Sequence, residues 1–179
     1  MKQPRRERPL IERAVPLVDL DVGGADGRTV TAYAATFGER YAVSDFEGDY
    51  DEIIHRSAFD RTLKAGIAGR VQALFNHGRT VAGSPSDRYS MPLGTPLAIR
   101  AEPKGLLTVT RYARTPLADE VLELINSGAI TAQSFRGDIY RSKHTGGGFA
   151  ARPTIERLEL GLKDYGPAPF VVNHSAEIL

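Results

Sequence analysis

The stretch Leu97–Gly137 reads LAIRAEPKGLLTVTRYARTPLADEVLELINSGAITAQSFRG, and the order of signals in it decides the fold. Two strand-like runs flank the turn residues Glu102, Pro103, Lys104 and Gly105, a hairpin signature. The strongest helix signal in the chain follows. Thr115 can cap it, Pro116 suits its first turn, and Asp119 and Glu120 suit the positive end of its dipole. Leu117, Val121, Leu124 and Ile125 fall on one face at helical spacing. Gly128 ends the helix, and a strand begins straight after it. That strand carries one serine, Ser134, among mostly apolar or small neighbours.

Working outward, VQALFNH (Val71–His77) reads as another strand. Val71, Ala73 and Phe75 alternate with Gln72, Leu74 and Asn76, and the run ends on His77 before Gly78. Upstream, residues 41–66 divide into an acidic, turn-like half and a short helix, with Ser57 as cap and Gly66 as stop. Residues 15–38 read as a hairpin around GGADG, where glycines supply the positive φ that a tight connection needs. Downstream, residues 143–153 read as a flexible loop, and residues 154–171 close the chain with one or two strands. The pattern predicts a β-rich α+β fold, a mixed β-barrel flanked by a few helices. Residues 1–13, with five basic side chains, are expected to form a flexible arm. Residues 14–179 are expected to form a single domain.

Composition removes several functions. The 23 Lys and Arg against 22 Asp and Glu give a net charge of +1, which supplies no overall attraction to nucleic acid or membrane. There is no cysteine, so thiol catalysis and thiolate metal sites are absent. No apolar run approaches the roughly 20 residues of a membrane span. The charged N-terminus lacks the apolar core of a secretory signal, and a cytoplasmic protein is expected.

Of four histidines, His77 has the setting that suggests chemistry. It closes an apolar run beside a loop, where catalytic groups often sit. His55, His144 and His174 read as solvated or capping. Ser134 is followed by Phe135, Arg136 and Gly137, a corner that could present backbone N–H groups to an oxyanion. No G-x-S-x-G elbow is present, which argues against an α/β-hydrolase. The bland alternatives are a hydrogen-bonded imidazole and a serine that fills space. A metal site joining His77 to Asp45, Asp49 or Asp51 lacks any ligand spacing to support it, and the acidic run Ser44–Glu52 reads as a solvated loop. No metal or organic cofactor is expected.

The pieces together resemble the caudovirus prohead serine proteases. Residues 32–59 are similar to the family's opening strand, its acidic loop and an I-x-x-G-A-F motif, with Ser57 where glycine is usual. VQALFNHGRT resembles a strand ending F-x-H. KGLLTVTRYARTPLADEVLELINSGAITAQSFRG resembles the block that carries a helix, G-x-x-x-x-x-S and a following glycine. IERLELGLKDYG resembles the closing L-x-E-V-S segment, with Asp164 in place of glutamate. The resemblance implies a herpesvirus-protease-like fold, with Ser134 as nucleophile, His77 as base and Asp164 as third member. Glu159 and Glu156 are alternative acids. It implies a serine endopeptidase that cleaves phage major capsid or scaffold protein, and itself, inside assembling proheads in the host cytoplasm. It leaves a homodimer open. A non-enzymatic head protein of the same fold is the competing reading.

Overall fold

A computed structural model describes residues 8–17, 20–146 and 152–169. Its strands are β1 (Leu10–Pro16), β2 (Asp21–Gly23), β3 (Thr29–Thr36), β4 (Arg40–Asp45), β5 (Gly48–Ile54), β6 (Gln72–Ala73), β7 (Gly94–Ala101), β8 (Gly105–Tyr112), β9 (Ala132–Thr145) and β10 (Thr154–Ala168). Two α-helices interrupt them, α1 (Asp60–Ala65) and α2 (Pro116–Asn126). The sheet runs β1-β9-β10-β6-β7-β8-β3-β2, with the β4–β5 hairpin joined to β10 through β5. It curls into a half-barrel that brings β3 close to β1 and β9. The β-rich fold with flanking helices is thus the one the sequence predicts.

Local signals explain the parts that lie close in sequence. The Thr115 hydroxyl accepts from the Ala118 amide at 3.3 Å, and Pro116 opens the helix. After it, Gly128 takes a φ of 74° and the Ala129 amide returns to the Leu124 carbonyl, a glycine-closed helix end. The buried face of α2 is Leu117, Ala118, Val121, Leu122 and Ile125, packed on Val30, Leu93 and Tyr112. Leu124, expected on that face, is exposed. A second core fills the curl, where Phe59 meets Phe135 edge-on and Leu106, Leu160 and Tyr165 close around them.

Three expectations change. Residues 10–13, assigned to the arm, form the first half of β1, paired antiparallel to β9 from Leu10↔Asp138 to Pro16↔Ala132. Residues 1–7 lie outside the described residues, as do His174 and the centre of the glycine-rich loop. The acidic run is no solvated loop: it is the β4–β5 hairpin, and Glu52 within it is buried. The short helix lacks the expected cap, because the Ser57 hydroxyl bonds the His55 ring instead.

The long pair β9–β10 frames the site. Its register shifts by one residue between Leu162 and Asp164. Side chains alternate faces along a strand, so such a bulge resets which residues share a face. Beyond it, Asp164 stands opposite Arg136 and Gly166 opposite Ser134. Ser134, Arg136, Asp164 and Gly166 therefore line one face.

Candidate active site

Gly166 lets a second segment descend onto that face. A Cβ there would lie 1.9 Å from the Leu74 carbonyl oxygen, so only glycine admits the close approach. The Leu74 amide bonds the Tyr165 carbonyl at 2.8 Å and fixes the segment. The strand expected through His77 stops at Ala73. Phe75–Gly78 form a 3-10 turn in which Asn76, His77 and Gly78 all have positive φ, at 46°, 55° and 74°. Left-handed backbone is uncommon outside glycine, though asparagine and histidine tolerate it better than most. Asn76 secures the turn by donating its side-chain amide to the Arg79 and Thr80 carbonyls, both at 3.0 Å.

The turn aims His77 between the two strands. Its Nε2 lies 2.7 Å from Ser134 Oγ and its Nδ1 lies 2.5 Å from Asp164 Oδ1. The other oxygen of Asp164 accepts twice from Arg136, from Nε at 2.9 Å and Nη2 at 2.7 Å. One carboxylate thus divides between a guanidinium and an imidazole. With Asp164 accepting from Nδ1–H, Nε2 presents its lone pair to the serine hydroxyl. That arrangement can pass a proton from hydroxyl to imidazole. All three residues are buried: Ser134 is 1% exposed, and His77 and Asp164 are each 4% exposed.

The remaining candidates separate clearly. Glu159 pairs with Arg61 at 3.0 Å and Glu156 with Lys143 at 3.7 Å, both near the surface and away from His77. Asp51 pairs with Arg40 and Arg152, Asp49 is exposed, and Asp45 lies with Arg13, so none of the three joins His77. Among the described residues no group of three or more histidine and acidic side chains could hold a metal ion. The residues after Ser134 form no corner, because β9 runs straight through Phe135, Arg136 and Gly137. Arg136 spends its side chain on Asp164. Gly137 lets β10 approach, since a Cβ there would meet the Gly161 carbonyl at 2.9 Å.

Phe135 differs. Leu17 N–H donates to the Thr131 carbonyl at 2.8 Å, in continuation of the β1–β9 register. Bonded pairs alternate along an antiparallel ladder. Arg13 and Phe135 are then a bonded pair, and Pro16, which has no N–H, falls at a non-bonded position. The Phe135 amide therefore faces the Arg13 carbonyl oxygen. Ser134 Oγ also donates to that oxygen, at 2.9 Å. The hydroxyl has one hydrogen and two acceptors, Nε2 of His77 and the Arg13 carbonyl. Glu12, on the same strand, brings Oε1 to 3.7 Å from His77 Nε2.

The model of the caudovirus prohead serine protease family matches residues 16–147. The chain belongs to that family. The matched span contains His77 and Ser134 and stops before Asp164, and β1 lies almost wholly ahead of it. Among solved structures, the bacteriophage T4 capsid assembly protease gp21 is similar in fold, with a TM-score of 0.56 and 10% identity. The alignment covers 91% of this chain and 99% of that one. A search of curated protein sequences finds no match. This prohead protease is thus a member of a capsid-maturation family that carries its sequence-predicted histidine, serine and aspartate in one hydrogen-bonded line.

Proposed function

We propose that this prohead protease cleaves phage capsid or scaffold protein, and itself, by acyl transfer through Ser134. The observation that carries the reading is the position of the His77 ring, bonded at one nitrogen to Ser134 and at the other to Asp164. Ser134 Oγ attacks the scissile carbonyl carbon while its proton passes to His77 Nε2. The C–N bond then breaks, and that proton leaves on the departing amine. Water, deprotonated by the same nitrogen, hydrolyses the acyl-serine and restores the hydroxyl. Asp164 holds Nδ1–H and stabilises the imidazolium, and Arg136 holds Asp164. The Phe135 amide is the oxyanion donor, since it points at the carbonyl oxygen of whatever strand pairs with β9. Loss of one such donor costs about 10²–10³ in turnover. The work takes place inside assembling proheads in the host cytoplasm.

Coexpression with the phage's own capsid protein, followed by intact-mass measurement of both chains, tests this. Ser134→Ala is expected to fold, because the side chain loses one oxygen, and to leave both chains uncut. Unchanged processing by Ser134→Ala removes the serine from the mechanism.

A further inference from the structure

Among the described residues β1 ends the sheet, and its one pairing is to β9. It therefore occupies the edge that an extended peptide would have to use to reach Ser134. Its register sets one peptide bond at the nucleophile. The Arg13 carbonyl oxygen lies 2.9 Å from Ser134 Oγ and faces the Phe135 amide, so Arg13–Ala14 is the bond presented.

The Arg13 side chain enters a pocket whose groups receive Nε and Nη2, while Nη1 donates to the Glu12 carbonyl of its own strand at 2.9 Å. Nε donates to Glu52 Oε2 at 2.6 Å, and Nη2 reaches Glu52 Oε1 at 3.0 Å, Asp45 Oδ2 at 2.9 Å and the Tyr50 hydroxyl at 2.9 Å. Only 6% of the residue is exposed. Burial by itself would lower the Arg13 pKa, but the Glu52 carboxylate outweighs it and holds the guanidinium firmly charged. Without Arg13 the pocket keeps Asp45, Glu47 and Glu52 against one cation, Arg157, which is already bonded to Glu47 and Glu52. Three negative charges against one positive leave a formal charge of −2. Glu52 is fully buried, Asp45 is half-buried and Glu47 is exposed, so the inner end of the pocket favours a cation beside Glu52 and its outer end is open to solvent. The two-oxygen reach to Glu52 with a further bond to Asp45 matches a guanidinium fork better than the single point charge of an ammonium.

We propose that β1 is seated as a substrate is seated, that Arg13–Ala14 is the chain's own cleavage site, and that Asp45, Tyr50 and Glu52 form the pocket that selects substrates with arginine just before the cleaved bond. The inference rests on Ser134 as nucleophile. In the self-cut, Ser134 Oγ bonds to the Arg13 carbonyl carbon and its proton reaches His77. The bond to the Ala14 nitrogen breaks and that nitrogen takes the proton. Water then releases the Arg13 carboxylate and restores the serine. The product strand, no longer joined to Val15 and Pro16, can leave the β9 edge and open the site to other chains.

The test maps every cut by mass spectrometry in the full-length protein and in coexpressed capsid protein. Internally quenched peptides of residues 8–17 accompany it, with Arg13 kept or replaced by lysine, leucine or glutamate. The expected pattern is a new N-terminus at Ala14, basic residues before the capsid cuts, and a peptide order Arg > Lys with Leu and Glu at least 100-fold slower. Asp45→Asn, at the rim of the pocket, should narrow the preference for Arg over Leu about tenfold while leaving the fold intact. Cuts that require Ser134 but follow acidic or apolar residues overturn this pocket, and a chain that stays joined at Arg13–Ala14 while it processes capsid protein overturns the self-cut; both spare the nucleophile. Cuts that persist in Ser134→Ala, or no proteolysis by the wild type at all, overturn the underlying reading instead.

Discussion

Two buried polar clusters flank β1, and they are built on opposite plans. On one side His77, Ser134 and Asp164 form a line in which a single hydroxyl hydrogen has two acceptors. On the other, Arg13, Asp45, Glu52 and Arg157 form a knot of full charges, and among the described residues no buried side-chain polar atom lacks a partner. The first cluster can change its protonation at little structural cost, since moving one proton leaves every heavy atom in place. The second cannot, since neutralising Arg13, Glu52 or Arg157 strands a buried charge. Chemistry belongs to the first and recognition to the second, and β1 touches both through one residue: Arg13 gives its carbonyl to Ser134 and its guanidinium to Glu52.

The largest expected effect falls on the proton line. Asp164→Asn should lower turnover about 10⁴-fold, the scale on which a triad loses its histidine tautomer. The reason lies in Arg136. Its two donors both address Oδ2 of Asp164, so the oxygen of an asparagine would settle there and its NH₂ would face His77 Nδ1. The imidazole would then carry its hydrogen on Nε2, facing Ser134, and could accept nothing. Glu159 cannot compensate, being held by Arg61 elsewhere. A loss under tenfold, measured as kcat on an arginine peptide, would mean that Asp164 does not set the tautomer.

Arg157→Met attacks the other cluster. Burial by itself would lower the Arg157 pKa, but Glu47 and Glu52 outweigh it and keep the group charged. Removing it leaves Glu52, fully buried, with Arg13 as its remaining cation. Breaking a buried pair from one side typically costs about 3–5 kcal/mol. Urea unfolding in the Ser134→Ala background, which prevents self-cleavage, should show that loss. If the variant is as stable as its parent, the knot is no more than packing.

The two clusters also differ in how far the sequence reveals them. The hairpin β7–β8, the capped helix α2 and the strand after it are legible because their signals are local: turn residues, a Thr-Pro start, a glycine stop. The positions of His77 and Ser134 follow from family resemblance, and Asp164 follows with them. Their geometry does not. A one-residue bulge at Lys163 decides which face Asp164 takes, and the positive φ of Asn76 and His77 exists because Gly166 and the Tyr165 carbonyl hold that turn in place. The ionic knot is invisible for a further reason. Asp45 and Glu52 sit in a run so rich in acid that solvation is the natural reading, and Arg13 sits in a basic arm. Only the meeting of β1, β5 and β10 across the curl turns surface-like residues into buried ones. Arg136 carries a signal, a long cation two residues past the serine on the same strand face, and that face directs it to Asp164 and not to an oxyanion corner.

The smallest expected effect isolates one carboxylate of the knot. Burial would raise the Asp45 pKa, but the Glu47 amide, the Tyr50 hydroxyl and the Arg13 guanidinium outweigh it and hold the group below its ordinary value of 3.8. A carboxyl depressed in the folded state contributes stability that is complete above its unfolded value and is lost as pH falls through the folded one. Against the same burial, Glu52 is likewise held below its ordinary value, by Arg13 and Arg157, so wild-type acid sensitivity alone says little about Asp45. The difference between two chains removes the contribution of Glu52. With Ser134→Ala in both, the Tm of the Asp45→Asn variant should lie a few degrees below its parent at pH 7. That gap should hold down to about pH 5 and close as the pH drops below 3.8, where Asp45 takes up its proton and comes to resemble the amide. A gap that is constant across the whole range would trace the loss to the amide's geometry. A gap that widens in acid would place the Asp45 pKa above its ordinary value and make Arg13 a poor partner for it, which would weaken the case for this pocket as a receptor for arginine.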